Sequence, residues 1–403
     1  MARAPLDRRA GPEGVTLATP LKLVGPDGSE FKYTPAYEPL TPPQCGRFET
    51  RVAIAAAHVV VDPLRTLDPL AHPVIDWDAT IAYRDYLWSL GFGVAEAMDT
   101  AQRGMGLDWP LALELIKRST AAAHDRGALV ASGAGTDHLS VGNSITLQDV
   151  TDAYLEQCEA IEAVDGRIIL MASRALAAVA RHADDYALVY ATVLSQVRRP
   201  VILHWLGPMF DSALEGYWGA TAASEAAENC LNIIRAHKEK IDGIKMSLLD
   251  ADLEVSMRRR LPRNVRMYTG DDFNYQQLIQ GDGHGHSDAL LGIFDAIAPA
   301  ASLALGALDA GDLPRYHQLL APTVPLSRHI FASPTQHYKT GVVFLAYLNG
   351  FQSHFRMVGG RESARSVAHL CELFVLADQA RVLRDPELAA RRMSAFLLLA
   401  GVA

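Results

Sequence analysis

The sequence predicts an α/β protein, a (β/α)8 TIM barrel with an N-terminal extension and a C-terminal helical region. Three observations carry this expectation. From Arg51 onward, short apolar runs alternate with longer amphipathic stretches, the rhythm of βα units and a parallel sheet. Eight such runs precede residue 313, which suits a closed barrel better than an open sheet. The 403 residues hold a barrel of roughly 250 residues with additions at both ends. The expected boundaries are an extension over 1–47, the barrel over 48–312 and helices over 313–403.

Each element can be placed in order. The extension is rich in Pro, Gly and charge, and Pro26-Asp27-Gly28 suits the turn of a small hairpin. The first seven strands are read at Arg51–Ala56, Gly93–Met98, Ala128–Gly133, Arg167–Met171, Pro200–Trp205, Asp242–Ser247 and Val265–Gly270. The eighth has the weakest signal and is placed near Gly283–Ala289. From Leu313 helical patterns follow one another without strands, around Tyr316–Leu320, Gly341–Asn349, Ala364–Arg381 and Pro386–Leu399.

Composition narrows the function. Hydrophobic residues make up 49% and charged residues 21%, enough apolar material for a large core. The formal net charge of −9 repels nucleic acid and anionic lipid, so neither is an expected partner. Cys45, Cys158, Cys230 and Cys371 are far apart and form no CxxC pair, which argues against a thiolate zinc site or a disulfide framework. No run approaches the ~18 apolar residues of a membrane span, and no apolar stretch follows the charged N-terminus. The expectation is a soluble, cytoplasmic protein.

A barrel of this kind places its chemistry at the C-terminal strand ends. The polar residues there are His58 and Asp62 after strand one, then Glu96, Asp99 and Thr100 at strand two. Gly133, Gly135, Thr136, Asp137 and His138 follow strand three, and Ser173 and Arg174 follow strand four. His204 and Trp205 end strand five, Lys245 strand six, and Thr269, Asp271 and Asp272 strand seven. His284, His286 and Asp288 accompany strand eight.

Lys245 stands out because Asp242-Gly243-Ile244-Lys245-Met246-Ser247 is too apolar and too short for a surface helix. Desolvation inside a barrel lowers a lysine pKa, and the neutral amine can attack a ketone or aldehyde to give an iminium. The other reading is a structural lysine paired with a carboxylate. The histidines offer a rival chemistry. His284 and His286 at i and i+2 share one face of a strand, and with His204, Asp271 or Glu96 they would hold Zn²⁺ or Mn²⁺ for a metal-dependent lyase or isomerase. Otherwise they belong to a solvated His-Gly-His loop. Trp205, Tyr217 and Trp218 line a sugar-binding rim or pack internally. Arg258-Arg259-Arg260 reads as a solvated helix end, and His337-Tyr338-Lys339 starts a helix that either reaches over the barrel mouth or makes no contact with the site.

Gly243-Ile244-Lys245, Pro200-Val201-Ile202-Leu203, Tyr268-Thr269-Gly270-Asp271-Asp272 and Val130 to Thr136 appear in the order and spacing of a known group. The chain resembles the dihydrodipicolinate synthase / N-acetylneuraminate lyase superfamily of class I aldolase barrels, most closely its DUF993 branch. The resemblance runs from about Arg51 to Pro299, with Pro334 and Lys339 similar in layout beyond it. It implies that Lys245 is a Schiff-base lysine needing no cofactor, that Gly133, Gly135, Thr136, Asp271 and Asp272 shape the rim, and that the protein forms a homo-oligomer.

Two departures matter. The superfamily's proton-relay tyrosine at the end of strand five is here His204, an imidazole able to act as acid or base. Its carboxylate-holding Gly-Thr-Thr-Gly-Glu loop is here Met98-Asp99-Thr100-Ala101-Gln102, where Asp99 repels a carboxylate and disfavours pyruvate. A hydroxylated ketone, keto sugar or keto acid, held by Glu96, Asp99, Thr100, Gln102 and Thr269, is the expected substrate. Asp99 can instead cap the following helix. A barrel that has lost catalysis and serves binding or assembly is the remaining alternative.

Overall fold

A computed structural model describes residues 18–139 and 145–402. The part of the extension before residue 18 lies outside the described residues. The remainder opens with an antiparallel hairpin, β1 (Leu21–Val24) and β2 (Glu30–Tyr33), turning through Pro26-Asp27-Gly28 as the sequence suggests. Gly28 there takes the left-handed φ of 79° that favours glycine.

Eight parallel strands follow: β3 (Ala53–Ala56), β4 (Gly93–Glu96), β5 (Val130–Ala134), β6 (Arg167–Leu170), β7 (Val201–Leu206), β8 (Ile241–Ser247), β9 (Arg266–Thr269) and β10 (Asp288–Leu291). They pair in sequence order and close through β10 against β3, so the expected (β/α)8 barrel is the fold. Their residues are almost wholly buried, because a parallel barrel is covered by side chains within and helices without. Around it run α1 (Trp77–Ser89), α2 (Trp109–Arg126), α3 (Leu147–Glu162), α4 (Arg174–Val179), α5 (Ala183–Gln196), α6 (Ala223–Ala236), α7 (Ala251–Arg258), α8 (Tyr275–Gln280) and α9 (Ile293–Asp309). Side-chain caps start several of them: Asp108 accepts from Leu111 N before α2, and Thr146 with Asp149 forms a capping box on α3.

The inner layer fixes the parity of every strand. Ile54, Ala95, Ala131, Ile169, Ile202, Tyr268 and Leu290 pack together inside, apart from the outer core. Alternation then points Glu96 and Thr269 outward, toward the helices. In β8 the inward set is Gly243, Lys245 and Ser247.

Beyond the barrel lie α10 (Leu313–Leu320), α11 (Thr323–Ile330), α12 (Tyr338–Leu348), α13 (Val367–Gln379) and α14 (Pro386–Leu399). The hairpin packs on this region: Tyr33 Oη donates to Asp378 Oδ2 at 2.7 Å, and Ala36 N donates to the same oxygen at 3.1 Å. Burial and the neighbouring Asp378 push the Tyr33 hydroxyl far above its ordinary pKa.

The eighth strand corrects the sequence reading. It begins at Asp288, so Gly283-His284-Gly285-His286 precedes it in an exposed turn closed by the Asp282–Gly285 bridge. Arg258 and Arg259 both pair with Asp282 and hold that turn.

Candidate active site

The site is built at the C-terminal ends of β7, β8 and β9. His204 and Lys245 are cross-strand neighbours in register, as are Lys245 and Tyr268. His204 and Lys245 therefore point to the same inner face. Gly270 makes room for the lysine, since a Cβ there would meet Lys245 Cε and Met246 O at 2.9 Å.

Lys245 is buried, with 7% of its surface exposed. Its Nζ makes no hydrogen bond or ion pair among the described residues. Burial lowers its pKa, while the charges of Asp99 and Asp272 work the other way without cancelling it. Asp272 is itself buried and accepts a hydrogen bond from Ile293 N at 2.9 Å. Burial raises its carboxyl to about 7, against the opposing pull of that bond and of Lys245. His204 is buried too, and burial followed by the charge of Lys245 holds its pKa well below the ordinary 6.5. Its Nε2 lies 3.3 Å from Ser247 Oγ, one inward position beyond Lys245.

Of these residues His204 lines a cavity of about 320 Å³, together with Asp99, Gly135, Thr136, Ser173 and Asp211. Thr136 Oγ1 and Ser173 Oγ are 2.6 Å apart and present a pair of hydroxyls to it. Gly133 must stay glycine, because a Cβ would strike Met171 Sδ at 2.8 Å and Ala97 O at 2.9 Å. Gly135 N donates to Gln157 Oε1 at 2.6 Å, which fixes the loop after β5.

Five expected substrate contacts are engaged elsewhere. Glu96 is wholly buried outside the barrel and receives Arg84 Nε and Nη2 at 2.9 Å and Ser119 Oγ at 2.5 Å. Thr269 Oγ1 donates to Glu254 Oε2 at 3.0 Å on the outer side of β9. Gln102, with φ 65°, donates to Val358 O at 2.7 Å and ties the C-terminal region to the barrel. Asp271 caps the turn after β9, accepting from Phe273 N at 2.8 Å and Asn274 N at 3.0 Å. Thr100 lies in the single turn Asp99–Ala101, its Oγ1 2.8 Å from Tyr338 Oη.

The histidine pair of the metal reading is also displaced. His284 and His286 sit before β10, at the opposite end of the barrel from His204. Among the described residues no group of three or more His, Cys, Asp or Glu is arranged to hold a metal ion. The aromatic rim is likewise internal packing: Trp218 lies 6.2 Å from Trp205 and 5.1 Å from Tyr217 between ring centroids, and all three are buried.

One further feature was partly legible in sequence and another was not. The helix begun by Tyr338 and Lys339 does reach the mouth. Lys339 is buried, and burial lowers its pKa to about 8, with Asp99 opposing and Arg174 reinforcing the shift. Arg103 was not anticipated. It binds Asp137 through Nε and Nη2, both at 2.7 Å, and Gln157 Oε1 at 2.7 Å. It also donates to the carbonyls of Ala97 and Gly133 at 3.2 Å, so it braces two rim loops and has no donor left for a ligand. Arg103 follows its strand by seven residues, too far for a reading confined to strand ends.

Comparison with known proteins places this geometry in a family. The profile described as "Protein of unknown function (DUF993)" matches residues 21–402. No curated protein matches the sequence. Solved structures share the barrel. Dihydrodipicolinate synthase from Aquifex aeolicus has a TM-score of 0.63 at 13% identity, covering 83% of this chain and 99% of that one. YagE, a prophage protein of the dihydrodipicolinic acid synthase family from E. coli K12 solved with pyruvate, has a TM-score of 0.65 at 13% identity, covering 82% and 99%. A putative dihydrodipicolinate synthetase from Pseudomonas aeruginosa gives 0.59 at 15% identity, covering 81% and 99%.

Proposed function

The chain belongs to the DUF993 family, and we propose that it is a Schiff-base-forming carbon–carbon lyase of the class I aldolase type with Lys245 as nucleophile. The observation that carries this reading is the placement of Lys245: an inward, buried amine at a C-terminal strand end, with a lowered pKa and no bonded partner among the described residues. Similarity of fold to the dihydrodipicolinate synthase structures is in keeping with it.

In this reading the neutral Lys245 amine attacks the substrate carbonyl carbon, and the carbonyl oxygen departs as water. The iminium accepts the electron pair of the neighbouring C–C bond as that bond breaks, while His204 takes the proton of the hydroxyl on the leaving carbon. An aldehyde leaves, and the enamine carbon takes back a proton. Water then hydrolyses the imine, releasing the ketone product and restoring the amine. A neutral imidazole can accept that proton, and burial, the largest cause, holds the His204 pKa well below the ordinary 6.5.

The substrate is a hydroxylated ketone, keto sugar or keto acid rather than pyruvate. Asp99 and the Thr136–Ser173 hydroxyl pair face the cavity and are ready partners for substrate hydroxyls. Asp99 disfavours a carboxylate beside the lysine. The test is turnover and borohydride trapping against a panel of keto sugars and keto acids. The reading predicts an irreversible mass increase that Lys245→Ala abolishes without loss of fold. A panel that gives neither adduct nor turnover contradicts it.

A further inference from the structure

The barrel has a second mouth, at the N-terminal ends of its strands, and it is not closed. A cavity of about 340 Å³ opens there, on the far side of the inner layer from Lys245. The cause lies in the strands. Barrel interiors are ordinarily filled by bulky branched side chains, but here the inward positions around this mouth include the small Gly93 and Ala131, with Leu129 packed against Gly93 as part of the wall. Space is left below Ile54, Ile202 and Tyr268.

The rim of that space is cationic. Arg47, Arg51, Arg167, Arg199 and Arg266 all line it. Two carboxylates pair with them, Asp288 with Arg266 at 2.8 Å and Asp165 with Arg199, while Asp242 on the same lining accepts from Tyr268 Oη at 2.7 Å. Arg51 is spent on the carbonyls of Ile279, Gln280 and Thr50. Arg47 uses one bond, to Gly127 O. Arg167, the first residue of β6, makes no hydrogen bond or ion pair among the described residues. In a chain of net charge −9, this exposed, unpaired guanidinium at the edge of the cavity is a local reversal of sign.

We infer that this N-terminal mouth is a second binding site, taking a small organic anion whose apolar body enters the barrel and whose carboxylate or like head group meets Arg167. The planar guanidinium fork matches a carboxylate in two parallel hydrogen bonds. The volume falls in the ordinary range of ligand pockets, about 300–1,000 Å³. It exceeds the roughly 150 Å³ that accommodates benzene in an apolar cavity, so an aromatic acid fits.

The probe is 4-fluorobenzoate, titrated into the full chain and followed by ¹⁹F NMR. Saturable binding is expected, weakened about tenfold or more in Arg167→Glu. The milder Arg167→Gln should weaken it less, and near-UV circular dichroism should report both variants folded. 4-Fluorobenzyl alcohol, with the same body and no charge, should bind about tenfold more weakly or worse. Lys245→Ala should leave the affinity for 4-fluorobenzoate unchanged, which separates this site from the catalytic mouth. Absence of saturation up to about 10 mM, equal binding by Arg167→Glu, or loss of binding in Lys245→Ala overturns the inference.

Discussion

Replacing Glu96 by Gln separates a structural carboxylate from a substrate-binding one. Glu96 and Arg84 are both completely buried and joined by two 2.9 Å hydrogen bonds. Ser119 adds a third bond at 2.5 Å and Ala97 N a fourth at 3.0 Å. The substitution keeps shape and removes charge, leaving the Arg84 guanidinium buried without its counter-ion. Breaking one side of such a pair costs about 3–5 kcal/mol. At about 2.1 cal/mol/K of unfolding entropy per residue, the 403 residues convert that cost to a fall in Tm of about 4–6 °C. Differential scanning calorimetry with and without substrate is the assay. KM per folded molecule should stay within about twofold, because Glu96 faces the helices. A Tm change under about 1 °C, or an unchanged Tm with KM raised tenfold or more, refutes the reasoning and returns Glu96 to the substrate.

The remaining predictions concern protons. The rate of imine trapping should rise with pH through a midpoint below 10.5, because burial lowers the Lys245 pKa. Asp99 and Asp272 favour the ammonium, so Asp99→Asn and Asp272→Asn should each move that midpoint further down; a pH–rate profile that shifts in neither variant contradicts the proposed pairing. His204→Ala should still be trapped by borohydride yet turn over about 10²–10⁴-fold more slowly, and loss of trapping would mean that His204 acts before the imine forms. Stability should carry the mark of Glu254, whose carboxyl burial raises from 4.5 to about 8. The folded protein binds that proton more tightly than the unfolded chain, so the contribution is complete below about pH 4.5 and is lost as pH rises through about 8. Glu254→Gln, measured by denaturation midpoints across this range, should flatten the slope, and an unaltered slope would exclude Glu254 as its source.

Much of the barrel can be read from the chain, because every strand is a short apolar run bounded by turn residues. The first seven strands fall within about two residues of their sequence placement, the usual uncertainty of such boundaries. The eighth slipped because Gly283 to Ser287 carries little hydrophobic signal, and the strand that follows is only four residues long. Which face each residue occupies was harder. A strand buried on both sides has no polar–apolar alternation to set its parity. Val94 and Ala95 give no hint that Glu96 points outward, and the same is true of Met267, Tyr268 and Thr269. Lys245 was legible because burial of a lysine is itself unusual. Its surroundings were less so: Tyr338 and Lys339 were visible only as a helix start that could reach the mouth, and Arg103, which lies outside the strand ends, not at all, because only tertiary packing brings them there.

Two amines at this mouth have lowered pKa values, Lys245 and Lys339, so the most direct measurement is one that tells them apart. Borohydride reduction in the presence of a substrate that turns over, followed by peptide mass mapping, locates the adduct. The account predicts the added mass on the peptide carrying Lys245, with tryptic cleavage blocked at that residue and Lys339 unmodified. An adduct on Lys339, or continued turnover with no adduct on either lysine, would contradict it.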